Sequence, residues 1–162
     1  MTKDAIKELF NRIKVWKRGA ERAPHKPLLL LYVLGRCSRG EEREVPFREV
    51  DEQLSTLLAE FGPQQKLLHT EYPFWRLQND GIWTVSGDAE VQTWEREKDQ
   101  KKTELLRVNA AGGFPKPIYE VLSQDKALLM AIAKQLLEDH FPSSLHDRIL
   151  EAVGLNLRQE NK

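Results

Sequence analysis

Residues 27–38 read Pro-Leu-Leu-Leu-Leu-Tyr-Val-Leu-Gly-Arg-Cys-Ser and are apolar nearly all round. A helix that is apolar on every side has to be enclosed by other elements. The rest of this 162-residue chain must therefore pack around that segment. Pro27 suits the first helical position, where its missing N–H costs nothing and its φ is already helical. The length is enough for one domain with a real core.

The other elements follow from periodicity and punctuation. Ile6, Leu9, Phe10, Ile13 and Trp16 recur at helical spacing and predict a first helix over 4–18, closed by Gly19. Val45-Pro46-Phe47 reads as a short extended piece. A third helix is expected from Phe47 to Phe61, with Val50, Leu54, Leu57, Leu58 and Phe61 on one face and Gly62-Pro63 as its stop. Residues 71–77 look extended, Asn79-Asp80-Gly81 signals a turn and Ile82-Trp83-Thr84-Val85 a strand, which together predict a β-hairpin. Residues 88–100 read as an exposed helix or a polar loop, and Thr103 as the cap of a short helix holding Leu105 and Leu106. The glycines and proline of 109–115 predict a turn or loop. Helices are expected over 117–122, 125–140 and 143–153, the last capped by the Pro-Ser-Ser that precedes it. The fold class is thus mainly α: a compact multi-helix domain with one small β-hairpin, of which a winged-helix-like arrangement is one form.

Composition excludes more than it identifies. Basic and acidic residues balance at 25 each, so only local clustering can mark a polyanion-binding face. Lys14, Lys17, Arg18, Arg22 and Lys26 form one basic run, and Lys98, Lys101, Lys102 and Arg107 another, although charge runs are commonly no more than solvated faces. The single Cys37 lies in the apolar run and excludes an internal disulfide or a multi-cysteine zinc site. No stretch reaches membrane-spanning length and no signal peptide is apparent, so the expectation is a soluble cytoplasmic protein.

Signatures of catalysis are missing. The sequence has no glycine-rich phosphate loop and no His-Glu-x-x-His helix. His25, His69, His140 and His146 are scattered, with His140 and His146 reading as helix-end surface residues. Carboxylates are numerous but unclustered. No catalytic residue, metal or cofactor is expected. A small enzyme would need a titrating cluster that the sequence does not display.

Two short segments stand out. In Ala23-Pro24-His25-Lys26-Pro27, two prolines stiffen a basic entry beside a helix N-terminus, which favours anions. Two solvated polar residues ahead of an ordinary buried helix answer the same pattern. In Tyr72-Pro73-Phe74-Trp75-Arg76, Phe74 and Trp75 read as core, and Tyr72-Pro73 as an exposed apolar lip, because proline has no place in a central strand.

These segments, followed by Asp80-Gly81-Ile82-Trp83 and by 109–114, resemble the sulfur-binding domains of phosphorothioate-dependent, McrA-like restriction endonucleases. The resemblance covers nearly the whole chain. It implies a domain that grips double-stranded DNA carrying sulfur in place of one non-bridging phosphate oxygen, while a separate HNH nuclease domain cuts nearby. The family's sulfur contacts fall here on His25, Lys26, Tyr72 and Pro73, with Pro24 beside them. Arg76 is a candidate backbone contact, Arg18 and Arg22 add basic charge, and Lys102 or Arg107 is the candidate for a later DNA contact. No HNH motif follows in this chain. Residues 1–162 are therefore expected to form one sulfur-binding domain, the nuclease being fused or associated elsewhere.

The chemistry fits that implication. A phosphorothioate keeps its charge, so cations and helix N–H groups still attract it. Its sulfur is larger, more polarizable and a poorer hydrogen-bond acceptor than oxygen. Burying about 30–40 Å² of sulfur at roughly 25 cal/mol per Å² yields only about 1 kcal/mol. Rejection of an oxygen that loses water and finds no donor adds about 1–3 kcal/mol. Together these predict roughly 30- to 1,000-fold preference for sulfur. The rival reading is a winged-helix regulator of unmodified DNA. It would need a recognition helix rich in Arg, Asn or Gln on one face, and no helix shows one clearly.

Overall fold

A computed structural model describes residues 1–15, 17–18, 21–64 and 66–155, with only the backbone considered at 17, 18, 21 and 22. Helix α1 spans Lys3–Asn11, capped by the Thr2 hydroxyl, which accepts from the Ala5 N–H at 3.0 Å. It is shorter than the expected 4–18. Past Arg12 the chain turns away, the Lys14 N–H donating to the Asp80 carboxylate at 2.8 Å, and a two-stranded ribbon follows, β1 (Lys17–Arg18) with β2 (Glu21–Arg22). Trp16 as a core residue and Gly19 as a helix stop lie outside the described residues.

Helix α2, His25–Ser38, is the centre of the molecule. Leu28, Leu29, Leu30 and Leu31 are all fully buried. The helix starts two residues ahead of Pro27, with Pro24 as N-cap, so Pro27 is its third residue. That position is still inside the first turn, where no N–H is needed. After β3 (Val45–Pro46), α3 runs Phe47–Phe61, as its periodicity predicts. Helices α6 (Lys116–Gln124), α7 (Lys126–His140) and α8 (Ser143–Ala152) complete the shell. Helices α3, α6 and α7 all pack on α2. The N-cap of α8 is Pro142, which has no side-chain bond to offer, so Ser143 and Ser144 are helical residues and not caps.

The middle of the chain departs from expectation. Residues Glu71–Arg76 form a short helix, α4, continued by a 3-10 turn over Leu77–Asp80. The hairpin predicted there does not form. Aromatic residues suit a strand, but here they pack in three dimensions: Phe74 is edge-on to Phe47 and Trp83, with centroids 4.9 and 6.0 Å away. Tertiary packing overrides local propensity. Only the last part of the predicted pair is a strand, β4 (Thr84–Ser86), and its partner is β5 (Ala111–Gly113).

Strand β5 is central in a three-stranded antiparallel sheet ordered β3-β5-β4, with Val45 and Val85 both opposite Gly112. The glycines that predicted a loop are thus the middle of a sheet. A Cβ on Gly112 would lie 2.6 Å from the Trp83 indole, and one on Gly113 2.2 Å from the Arg43 carbonyl oxygen. The strand has no side chains there because none would fit. Residues 88–100 hold a 3-10 turn, Ala89–Thr93, and irregular chain. Helix α5, Lys102–Arg107, encloses Thr103 as its second residue and begins without a side-chain cap. The fold is mainly α, with eight α-helices among the described residues and a small antiparallel sheet. Among the same residues no helix is long and apolar enough to cross a membrane.

Candidate nucleic-acid interface

Helix α4 packs on α2, and the start of α2 meets the end of the 3-10 turn that extends α4. Asp80, the last residue of that extension, ties them together. Its Oδ2 accepts from Lys26 Nζ at 2.6 Å and its Oδ1 from the Lys14 N–H. The Lys26 and Asp80 side chains are 15% and 2% exposed, so this is an ion pair almost removed from water. Separating such a pair leaves a buried charge uncompensated and is strongly unfavourable. Lys26 is therefore fixed against the end of the 3-10 extension. His25 is half-buried at the first residue of α2 and Pro24 is buried. No side chain caps this helix N-terminus.

Tyr72 is half-buried, and groups from its own helix and approach pack on it. The His69 ring is stacked on it at 4.6 Å between centroids and 10° between planes, and the Arg76 guanidinium carbon lies 4.2 Å from its centroid. Pro73 is buried as the third residue of α4, in the first turn. The exposed lip expected of it is corrected accordingly: proline is excluded from central strands but accepted in a first helical turn. Phe74 and Trp75 are core residues, 0% and 2% exposed. His69 Nδ1 lies 3.0 Å from Glu71 Oε2, the Glu71 side chain being 9% exposed.

Two further carboxylates organise the surrounding basic residues. Asp99 takes both Arg76 Nε and Nη2, at 2.9 and 2.7 Å. This bidentate bond holds the Arg76 guanidinium more firmly protonated than usual and keeps the Asp99 carboxyl below its ordinary range. Asp51, on α3, accepts from the hydroxyl of Thr70, the N-cap of α4, at 2.5 Å, and its Oδ1 lies 3.2 Å from Lys102 Nζ. Lys102 thereby sits beside the start of α4. Arg107 does not: it is clasped by Glu90 and Glu104, and those bonds raise its pKa and lower that of Glu90. The side chains of Arg18 and Arg22 lie outside the described residues.

Lys26 thus meets the end of the 3-10 extension, Arg76 lies on the Tyr72 ring, Lys102 stands beside the start of α4, and Arg107 is left in an acidic setting. Asp80 read in sequence as a turn residue within a family-like segment, with no sign of its pairing, and Asp51 and Asp99 carried no signal, because pairing across 54, 51 and 23 positions leaves no local pattern. Among the described residues no cluster of three or more His, Cys, Asp or Glu side chains could hold a metal ion.

Comparison with known proteins defines the class. The model of the ScoMcrA-like, DNA sulfur-binding domain family matches residues 3–158, and the chain belongs to that family. Its fold matches the sulfur binding domain of SprMcrA complexed with phosphorothioated DNA, with a TM-score of 0.80, 22% identity, and coverage of 96% of this chain and 95% of that one. The sulfur binding domain of ScoMcrA complexed with phosphorothioated DNA gives a TM-score of 0.79, 23% identity, and coverage of 92% and 94%. The Type IV phosphorothioation-dependent restriction endonuclease ScoMcrA matches with a TM-score of 0.76 and 23% identity, over 92% of this chain but only 32% of its own length. At these identities the structural likeness is one of fold, and membership rests on the family model. No curated protein sequence matches the chain.

Proposed function

We propose that this chain reads double-stranded DNA carrying a phosphorothioate, holding the sulfur where the first turn of α2 faces α4. His25, Lys26, Tyr72 and Pro73 would form the contact, with Pro24 stiffening its edge. Arg76 would contact the DNA backbone beside Tyr72, and Lys102 and the basic residues Arg18 and Arg22 would face flanking phosphates. The observation that carries this reading is the Lys26–Asp80 pair at 2.6 Å. It joins the basic helix entry to the 3-10 turn that continues the aromatic helix, linking two segments far apart in sequence that the family resemblance assigns to one ligand. Tyr72 and the apolar stems around it offer sulfur a polarizable surface, while an oxygen entering there exchanges water for few donors.

On this reading residues 1–162 act as a binding domain that directs an HNH-type nuclease, fused or associated, to modified DNA in the cytoplasm. The domain itself needs no metal or cofactor. The test is a fluorescence-anisotropy titration with two otherwise identical duplexes, one carrying Rp phosphorothioates, at one moderate salt concentration. A preference of roughly 30- to 1,000-fold for the sulfur duplex is expected. Equal binding would overturn the reading in favour of a reader of unmodified DNA.

A further inference from the structure

Two of the cations assigned to the proposed contact, Lys26 and Arg76, are each held by a carboxylate contributed by a later segment. Lys26 is held by Asp80, which is nearly inaccessible, and Arg76 by the bidentate Asp99. For Lys26 the arrangement is hard to undo. Asp80 has committed Oδ1 to the Lys14 N–H, and Oδ2 has Lys26 Nζ at 2.6 Å. If Lys26 swung onto a ligand, a 2%-exposed carboxylate would be left charged and alone. A ligand arriving at this surface therefore meets the lysine stem and a neutralised head.

That constraint bears unequally on the two phosphate chemistries. A phosphate oxygen is a strong acceptor and gains most from a mobile ammonium. A sulfur is a weak acceptor with diffuse charge and loses little when that donor is withheld. Taking the lysine out of play thus penalises oxygen more than sulfur. We infer that Asp80 is a specificity-determining positioning residue: by pairing with Lys26 it neutralises and immobilises the ammonium that an unmodified phosphate would otherwise draw to itself, and Asp99 does the same, more loosely, for Arg76. The Arg76–Asp99 pair is the looser one because its side chains are 46% and 43% exposed, so water can replace either partner. The inference rests on the sulfur-reading proposed above.

The experiment compares wild type, D80N and D99N on the phosphorothioate duplex and on its unmodified twin, between about 50 and 200 mM salt. In D80N the amide oxygen can still accept from Lys14, so the local turn is kept, whereas the amide cannot retain an ammonium. The expected result is a gain: D80N binds the unmodified duplex about fivefold more tightly. Its logarithmic salt slope on that duplex steepens by about 0.9, the signature of one added phosphate contact. The sulfur-to-oxygen ratio falls by about the same fivefold, and D99N moves in the same direction by less. A merely structural loss would weaken binding, and a general change of charge would raise both affinities while leaving the ratio alone. A wild-type preference unaltered in D80N overturns the inference while leaving the sulfur reading intact. Absence of preference in the wild type overturns that reading itself, and this inference with it. If thermal melting shows D80N unfolded, D99N decides, its pair being exposed: an unchanged ratio there overturns the inference.

Discussion

Replacing Tyr72 separates what its ring does from what its hydroxyl does. The ring is stacked by His69 at 4.6 Å and carries the Arg76 guanidinium at 4.2 Å. A stacked pair contributes about 0.5–1.5 kcal/mol and an exposed cation–π contact about 0.5–1 kcal/mol. Tyr72→Ala removes both, a loss of about 1–2.5 kcal/mol, which lowers the melting temperature of a domain this size by about 2–10 °C. Among the described residues no hydrogen bond to the hydroxyl is found, so Tyr72→Phe keeps the ring and should melt with the wild type. The same division should appear in binding. Sulfur preference, measured as the ratio of dissociation constants for the paired duplexes, should stay within about threefold of wild type in Tyr72→Phe and fall by about tenfold or more in Tyr72→Ala. Weak, salt-dependent binding of both duplexes should survive in either variant. A Tyr72→Ala protein that kept the full ratio, or a Tyr72→Phe protein that lost it, would refute the assignment of the ring as the sulfur-facing surface.

Other substitutions test neighbouring parts of the argument. Lys102→Ala should weaken binding of both duplexes equally and make the salt slope shallower by about 0.9, whereas Arg107→Ala, clasped by two glutamates, should change neither in the same titration. Gly113→Ala should destabilise the sheet by about 1–3 kcal/mol in urea unfolding, because its Cβ would lie 2.2 Å from a backbone oxygen. Burial, and then the bond to Glu49 at 2.6 Å, push the Tyr32 hydroxyl up to about 12 from its ordinary 10.0. The folded state keeps a proton that the unfolded state releases, so this contribution is complete below pH 10 and is lost as pH rises through about 12. A phenolate absorbance titration should show one late tyrosine, which Tyr32→Phe removes.

Much of the helical framework was legible because it depends on local pattern. The all-round apolar run at 27–38 identified the central helix, and the periodicity from Phe47 to Phe61 marked α3 from end to end. The middle was misread for a physical reason. Aromatic and β-branched residues signal strands only through the half-buried surface they suit. At 71–77 that surface is supplied by packing against Phe47 and Trp83, which the chain meets only after folding. Gly112 and Gly113 misled for the opposite reason: what they signal is close approach by Trp83 and Arg43, not a turn. The assignment of His25, Lys26, Tyr72 and Pro73 to the proposed contact rests on family resemblance, whereas the carboxylates that hold the basic residues are visible only in the fold.

Helix α2 has one end at the proposed contact and four consecutive leucines sealed in the core. A recognition edge mounted on such a post has little freedom to adapt. Its ordering cost is met during folding, before any ligand arrives. Mutual fit must then come from the other partner: a duplex whose steps bend or widen readily would dock more tightly than a stiff one bearing the same sulfur. Base-sequence preference around the modification would then arise in part from the mechanics of the DNA, at steps the protein never touches.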